Sequence, residues 1–261
     1  MLIVSPKWVY LDNKKLENDK SLLIDSSIII DVLSNNQIEK KYRGIKREYF
    51  DSHVIIPTFS ECYLNVDDCL NEADYQEKIS NLIANGVTRI QIVSKDIKKI
   101  LKYNQNNVLF MSFALTLDAS SYAQVDMKEL TNILDFYKSD KTKTFSINLK
   151  NILLFPKDTI KKISSICNEL NLNINIHTSE MIDSNETNVK EIISFWDDIN
   201  LLNNCAIHDI VLHKKDWLKF FNKKNITIMI KYTELKNIDK IQYFLSLIEK
   251  GYKCVLVTNN E

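Results

Sequence analysis

From residue 54 onward the chain repeats one pattern, a short apolar run followed by an amphipathic segment, and this constrains its fold more than any other feature. Val54 to Ile56 leads through Pro57 into the first strand. Asp74 to Asn85 follows as a helix with Ile79, Leu82 and Ile83 on one face and Gly86 as its stop. Val87–Val93, Val108–Leu115, Phe145–Leu149, Leu172–Ile176, Cys205–Ile207, Ile226–Ile230 and Cys254–Val257 read as further strands. Between them, helices are predicted over Ile97–Tyr103, Met127–Tyr137, Asp158–Leu170, Val189–Leu201, Asp216–Phe221 and Ile238–Glu249. Ile160, Ile163, Ile166 and Leu170 form the buried stripe of the fourth of these seven. Alternating βα units predict a parallel sheet. Eight of them predict a closed (β/α)8 barrel rather than an open sheet. No eighth helix follows the last strand, so a longer natural chain or another element is expected to cover that seam.

The first 50 residues have a different rhythm. Leu2–Tyr10, Leu22–Ile24 and Ile28–Val32 are β-type runs between turn residues, and they predict a small antiparallel layer, part of a sandwich. Lys40–Tyr49 is charged and reads as a connecting loop. Two domains are expected: a β-rich layer over 1–52 and the barrel over 53–261.

Composition removes several functions. Only three glycines are present, Gly44, Gly86 and Gly251, so no cluster can cradle a phosphate as P-loops and dinucleotide fingerprints do. Basic and acidic residues balance at 34 each, which gives no footprint for nucleic acid or an acidic membrane. No apolar stretch approaches the ~20 residues of a membrane span. The five cysteines lack CxxC spacing and fit a reducing, cytoplasmic compartment, with no signal peptide at the N-terminus.

In a barrel, chemistry sits where strands end. Strand one ends in Glu61-Cys62-Tyr63-Leu64-Asn65, strand five in His177-Thr178-Ser179-Glu180, strand six in His208-Asp209 and strand eight in Thr258-Asn259-Asn260. Two histidines one strand apart point to a shared site. His213 reads as surface, and His53 lies at the wrong end of its strand.

The order Pro57 to Asn65, then His177-x-x-Glu180, His208 and Val257-Thr258-Asn259, resembles the amidohydrolase superfamily. The nearest branch holds the nucleoside, S-adenosylhomocysteine and aminofutalosine deaminases. Gly86-Val87-Thr88 is similar to that family's opening of strand two, and an N-terminal β layer precedes the family's barrel. The resemblance implies a metal-dependent hydrolase of C–N bonds. It places the family's HxH pair at Tyr63 and Asn65, a third ligand at His177 and an acidic fourth ligand and general base at Asn259. Glu180 then matches the proton shuttle, and His208 the histidine that orients water or stabilises charge. A phenol and two carboxamides are poor zinc ligands beside imidazole and carboxylate. The implied reading is therefore a diverged relative without metal or cofactor, with Tyr63 and Asn65 facing a small-molecule ligand.

Two alternatives stand beside it. One is an active deaminase with one divalent zinc or iron held by His177, His208 and an acid from Glu61, Glu180 or Asp209. The Asp67-Asp68 pair with Glu61 is a further, weaker candidate set. The other is a non-catalytic barrel that pairs as a homodimer or with an active related subunit.

Overall fold

The computed structural model describes residues 1–11, 15–26, 28–104, 110–119, 144–179, 186–209, 219, 221 and 226–257. The chain divides into two compact units, Met1–Thr58 and Phe59–Glu261.

The first unit is a five-stranded sheet: β1 (Leu2–Tyr10), β2 (Leu16–Glu17), β3 (Lys20–Asp25), β4 (Ile28–Ser34) and β5 (Arg47–Ile55). β1 pairs antiparallel with β2 and β3, β3 pairs antiparallel with β4, and β5 runs parallel to β1. Of the charged run read as a connecting loop, residues 42–46 do connect, while its two ends lie in a helix and in β5. Helix α1 (Asn35–Lys41) starts on a capping box: Ser34 Oγ accepts from Gln37 N, and Gln37 Oε1 accepts from Ser34 N at 3.0 Å. Val54 and Ile55, read as the approach to barrel strand one, belong to β5 and pair with Trp8 and Val9. Their apolar pattern could not reveal which sheet they would join. Ile3, Leu23 and Ile38 form this unit's core. Arg47 bridges its buried polar side, donating to Ser5 Oγ at 2.7 Å and to Asn35 Oδ1.

The second unit holds eight strands: β6 (Phe59–Asn65), β7 (Val87–Ser94), β8 (Phe110–Asp118), β9 (Thr144–Lys150), β10 (Asn173–His177), β11 (Cys205–His208), β12 (Ile226–Lys231) and β13 (Lys253–Val257). They stand in sequence order in one sheet, and every paired neighbour is parallel. β13 comes back alongside β6, so the sheet is nearly closed. Helices α2 (Glu72–Ala84), α3 (Ile97–Tyr103), α4 (Lys157–Leu170), α5 (Glu186–Asp198) and α6 (Ile238–Glu249) connect the strands. The helices predicted over Met127–Tyr137 and Asp216–Phe221 lie almost wholly outside the described residues. No described helix is long and apolar enough to cross a membrane.

Strand alternation sorts the core. One face of the sheet carries Ile174, Ile176, Ile207, Ile226, Ile228 and Ile230, packed against Ile160, Ile163 and Cys167 of α4 and Val189, Ile193 and Trp196 of α5. The opposite phase points inside. There Tyr63, Val93, Ala114, Ala206, Met229 and Val257 pack together across the barrel. The side chains beside that small layer are polar, and they build the site.

Candidate functional site

Tyr63 enters the barrel because β6 is irregular. Its register against β7 slips between Glu61 and Leu64, so three residue steps on β6 span two on β7. Such a bulge re-aims a side chain and leaves a ladder N–H unpaired. The Glu61 carboxylate accepts that N–H, from Tyr63 N at 2.9 Å. The phenol ring is then fully buried.

His177 and His208 end neighbouring strands at the same level, as direct register partners. Their rings stack at 4.4 Å between centroids and 12° between planes. Tyr63 packs on both, 5.4 Å from the ring of His177 and 4.8 Å from that of His208. Thr178 locks the strand pair from behind, its Oγ1 donating to the His208 carbonyl at 2.7 Å.

Both nitrogens of His177 face protein acceptors. Nδ1 lies 3.2 Å from Asp209 Oδ2, and Nε2 lies 3.0 Å from Asn148 Oδ1. Asn148 spends its own Nδ2 on Thr116 Oγ1 at 3.1 Å and on the Tyr63 hydroxyl at 3.5 Å. A chain of contacts thus runs Thr116–Asn148–His177–Asp209, with Tyr63 on its flank. Lys231 Nζ sits 3.6 Å from the other oxygen of Asp209. Asp209 takes a left-handed backbone, φ 65°, a region that Asp tolerates better than most residues.

Charges in the cluster are set by these neighbours. Burial, followed by the adjacent His177, holds His208 well below the ordinary histidine range, so its ring is neutral near pH 7. Its Nε2 is buried and has no hydrogen-bond partner among the described residues. Burial pushes the Asp209 carboxyl up, but the hydrogen bond and charge of His177 and the charge of Lys231 outweigh it and bring it down to about 2. The cysteines offer no thiolate nucleophile. Burial pushes Cys62 up and Cys167 up to about 12.

Of the residues singled out from sequence, Tyr63, His177 and His208 come together. Asn65 does not join their network through its amide oxygen, which accepts from Asp67 N at 3.1 Å in a local turn. Glu180 and Asn259 lie outside the described residues, as does His213. Asp67 accepts from Ser94 Oγ and Lys95 N, both at 2.8 Å, and Asp68 pairs with Lys78 at 2.7 Å, so both acids serve local structure. Among the described residues no group of three or more His, Cys, Asp or Glu side chains is placed to hold a metal ion. Asn148, Thr116 and Lys231 escaped the sequence reading. Each stands in the inward phase of its strand.

Solved structures share this fold. The chain superposes on aminofutalosine deaminase of Helicobacter pylori with a TM-score of 0.75 at 12% identity, covering 99% of this chain and 76% of that one. It superposes on guanine deaminase of C. acetobutylicum with a TM-score of 0.77 at 16% identity, covering 99% and 74%. For a zinc-bound adenosine deaminase from Xanthomonas campestris the TM-score is 0.76 at 8% identity, covering 98% and 68%. No family model and no curated protein matches the chain. The fold is therefore that of these deaminases. At such identities the likeness carries the fold and leaves the chemistry to the residues.

Proposed function

We propose that this chain is an amidohydrolase-like (β/α)8 barrel whose strand ends carry a hydrogen-bonded cluster, and that it binds a small polar molecule without metal-activated hydrolysis. One observation carries the reading: both ring nitrogens of His177 face protein acceptors, while the Tyr63 ring covers both imidazoles. An imidazole ligates through a free lone pair. Asp209 and Asn148 occupy those directions, and Tyr63 brings a phenol, which binds zinc poorly at neutral pH. The described residues of the cluster do not fit a divalent ion.

What remains is a recognition surface. Neutral His208, whose Nε2 has no partner among the described residues, offers one hydrogen-bonding position to a ligand. Tyr63 gives it an aromatic wall. Glu180, placed after His177 in sequence, is assigned by the resemblance to proton transfer.

Metal analysis of protein purified without chelators tests the reading. The expected result is zinc, iron and manganese all far below one equivalent, with no release of ammonia from guanine, adenosine or aminofutalosine. One tightly held metal per chain, lost in His177→Ala, would overturn it. In a complementary gain-of-site variant, Tyr63→His with Asn65→His and Asn259→Asp, zinc affinity should rise from negligible to measurable.

A further inference from the structure

The inward face of the strands is polar well below the histidines. On β10 the alternation Asn173-Ile174-Asn175-Ile176-His177 sends both isoleucines to the outer core, so Asn173 and Asn175 share the inner face with His177. Barrel interiors of this kind are ordinarily filled by bulky branched residues. Here Ala206 and Ala114 are small, and Ser146 and Thr227 are small and polar. A cavity of about 220 Å³ results at the mouth where the strands begin, opposite the histidines. Its lining includes Gln91, Asn173, Asn175, Asn204, Thr227 and Lys253. Asn173, Asn204 and Lys253 are exposed and form the rim, and Asn175 is buried in the floor.

Two features say what the cavity takes. Asn175 is 2% exposed, and its Nδ2 has no hydrogen-bond partner among the described residues. A buried amide donor left unpaired costs about 1–3 kcal/mol, so such groups are ordinarily matched by a ligand or water. The volume far exceeds the roughly 10–15 Å³ that one water needs. The lining also contains amides, a hydroxyl and one ammonium, with no Asp or Glu among its described residues. A donor-rich, acid-free pocket with a cation at its rim is complementary to an anion that carries oxygen acceptors.

We propose that this mouth is a second binding site, separate from the histidine cluster, and that it takes a small organic monocarboxylate, one oxygen accepting from Asn175 Nδ2 and the charge facing Lys253. The site stands independently of whether the other mouth binds metal.

Benzoate is the probe, with benzamide as its neutral isostere, titrated into the full chain by calorimetry while the side-chain amide signals are followed by NMR. Benzoate should bind saturably at one site and shift the Asn175 amide pair. Benzamide should bind about tenfold more weakly, the loss of one charge-assisted contact. Asn175→Asp should abolish benzoate binding, and Lys253→Gln, at the exposed rim where folding is not at stake, should weaken it about tenfold. Lys161→Gln, at an exposed lysine of α4 that does not line the cavity, should leave it unchanged. No saturable binding, meaning a cavity that holds water only, would overturn the proposal. So would equal affinity for benzamide, or benzoate binding that survives both Asn175→Asp and Lys253→Gln.

Discussion

The two faces of the same eight strands follow opposite rules. Outward residues such as Ile176, Ile207 and Ile228 are fully buried and aliphatic, and they meet helix stripes of the same kind. Inward residues such as Asn148, Asn175, His177 and His208 are as deeply buried, yet polar. The outer face is stabilised by area removed from water, a term indifferent to direction. The inner face depends on each polar atom finding a partner at the right angle. One face can accept many apolar sequences and keep the fold. The other is intolerant of single changes in kind, and that is where chemistry can be specified.

Four measurements would break or sharpen this contrast. Trp196 is the largest side chain of the outer layer and is buried. Trp196→Ala should cost about 3–5 kcal/mol in urea denaturation, the loss expected for an aromatic removed from a packed core. Asn148→Leu keeps the volume but strips partners from His177 Nε2 and Thr116 Oγ1, and should cost about 1–3 kcal/mol. A neutral or stabilising result there would mean that the inner network contributes nothing and the contrast fails.

The third test is acid titration of stability. His208 binds a proton less readily folded than unfolded, so the unfolded chain holds more protons below pH 6.5 and stability falls as pH drops. The slope should approach about 1.4 kcal/mol per pH unit and vanish in His208→Gln. Asp209, also depressed, adds its contribution above 3.8 and loses it as pH falls toward about 2, a limb that Asp209→Asn removes. A flat profile between pH 6.5 and 5 would show that His208 is not buried as a neutral ring. The smallest effect is expected on the N-terminal sheet: Ile29→Thr, at an exposed position of β4, should change stability by no more than about 0.5 kcal/mol.

Much of the outer face was legible in the sequence because it obeys a period. The spacing of Ile160 and Ile163 located a helix, Ile97–Tyr103 was read to its ends, and the apolar alternation located most strands. The first barrel strand was misplaced, since Val54 and Ile55 are equally suited to either sheet, and the pairing of β5 with β1 depends on contacts across more than 40 residues. The histidines of the site were legible as strand-end residues. Asn148 and Thr116 were not, because a polar residue inside a strand looks the same from sequence whether it faces solvent or a barrel interior. The bulge that swings Tyr63 inward has no local signature at all.

Among the described residues each strand of the second unit pairs only with its neighbours in sequence, and β6 and β13 meet without a described ladder between them. The sheet can therefore grow by adding one strand at a time, with one crossover closed at each step and the closure of β13 on β6 left for last. The seam is where the molecule should open first. Amide hydrogens of Val255 and Leu256 should exchange with solvent sooner than those of Ile176 and Ile207, which lie mid-sheet between two ladders. In kinetic terms, the barrel would breathe at one line, and a clamp across that line would slow its unfolding more than reinforcement anywhere else.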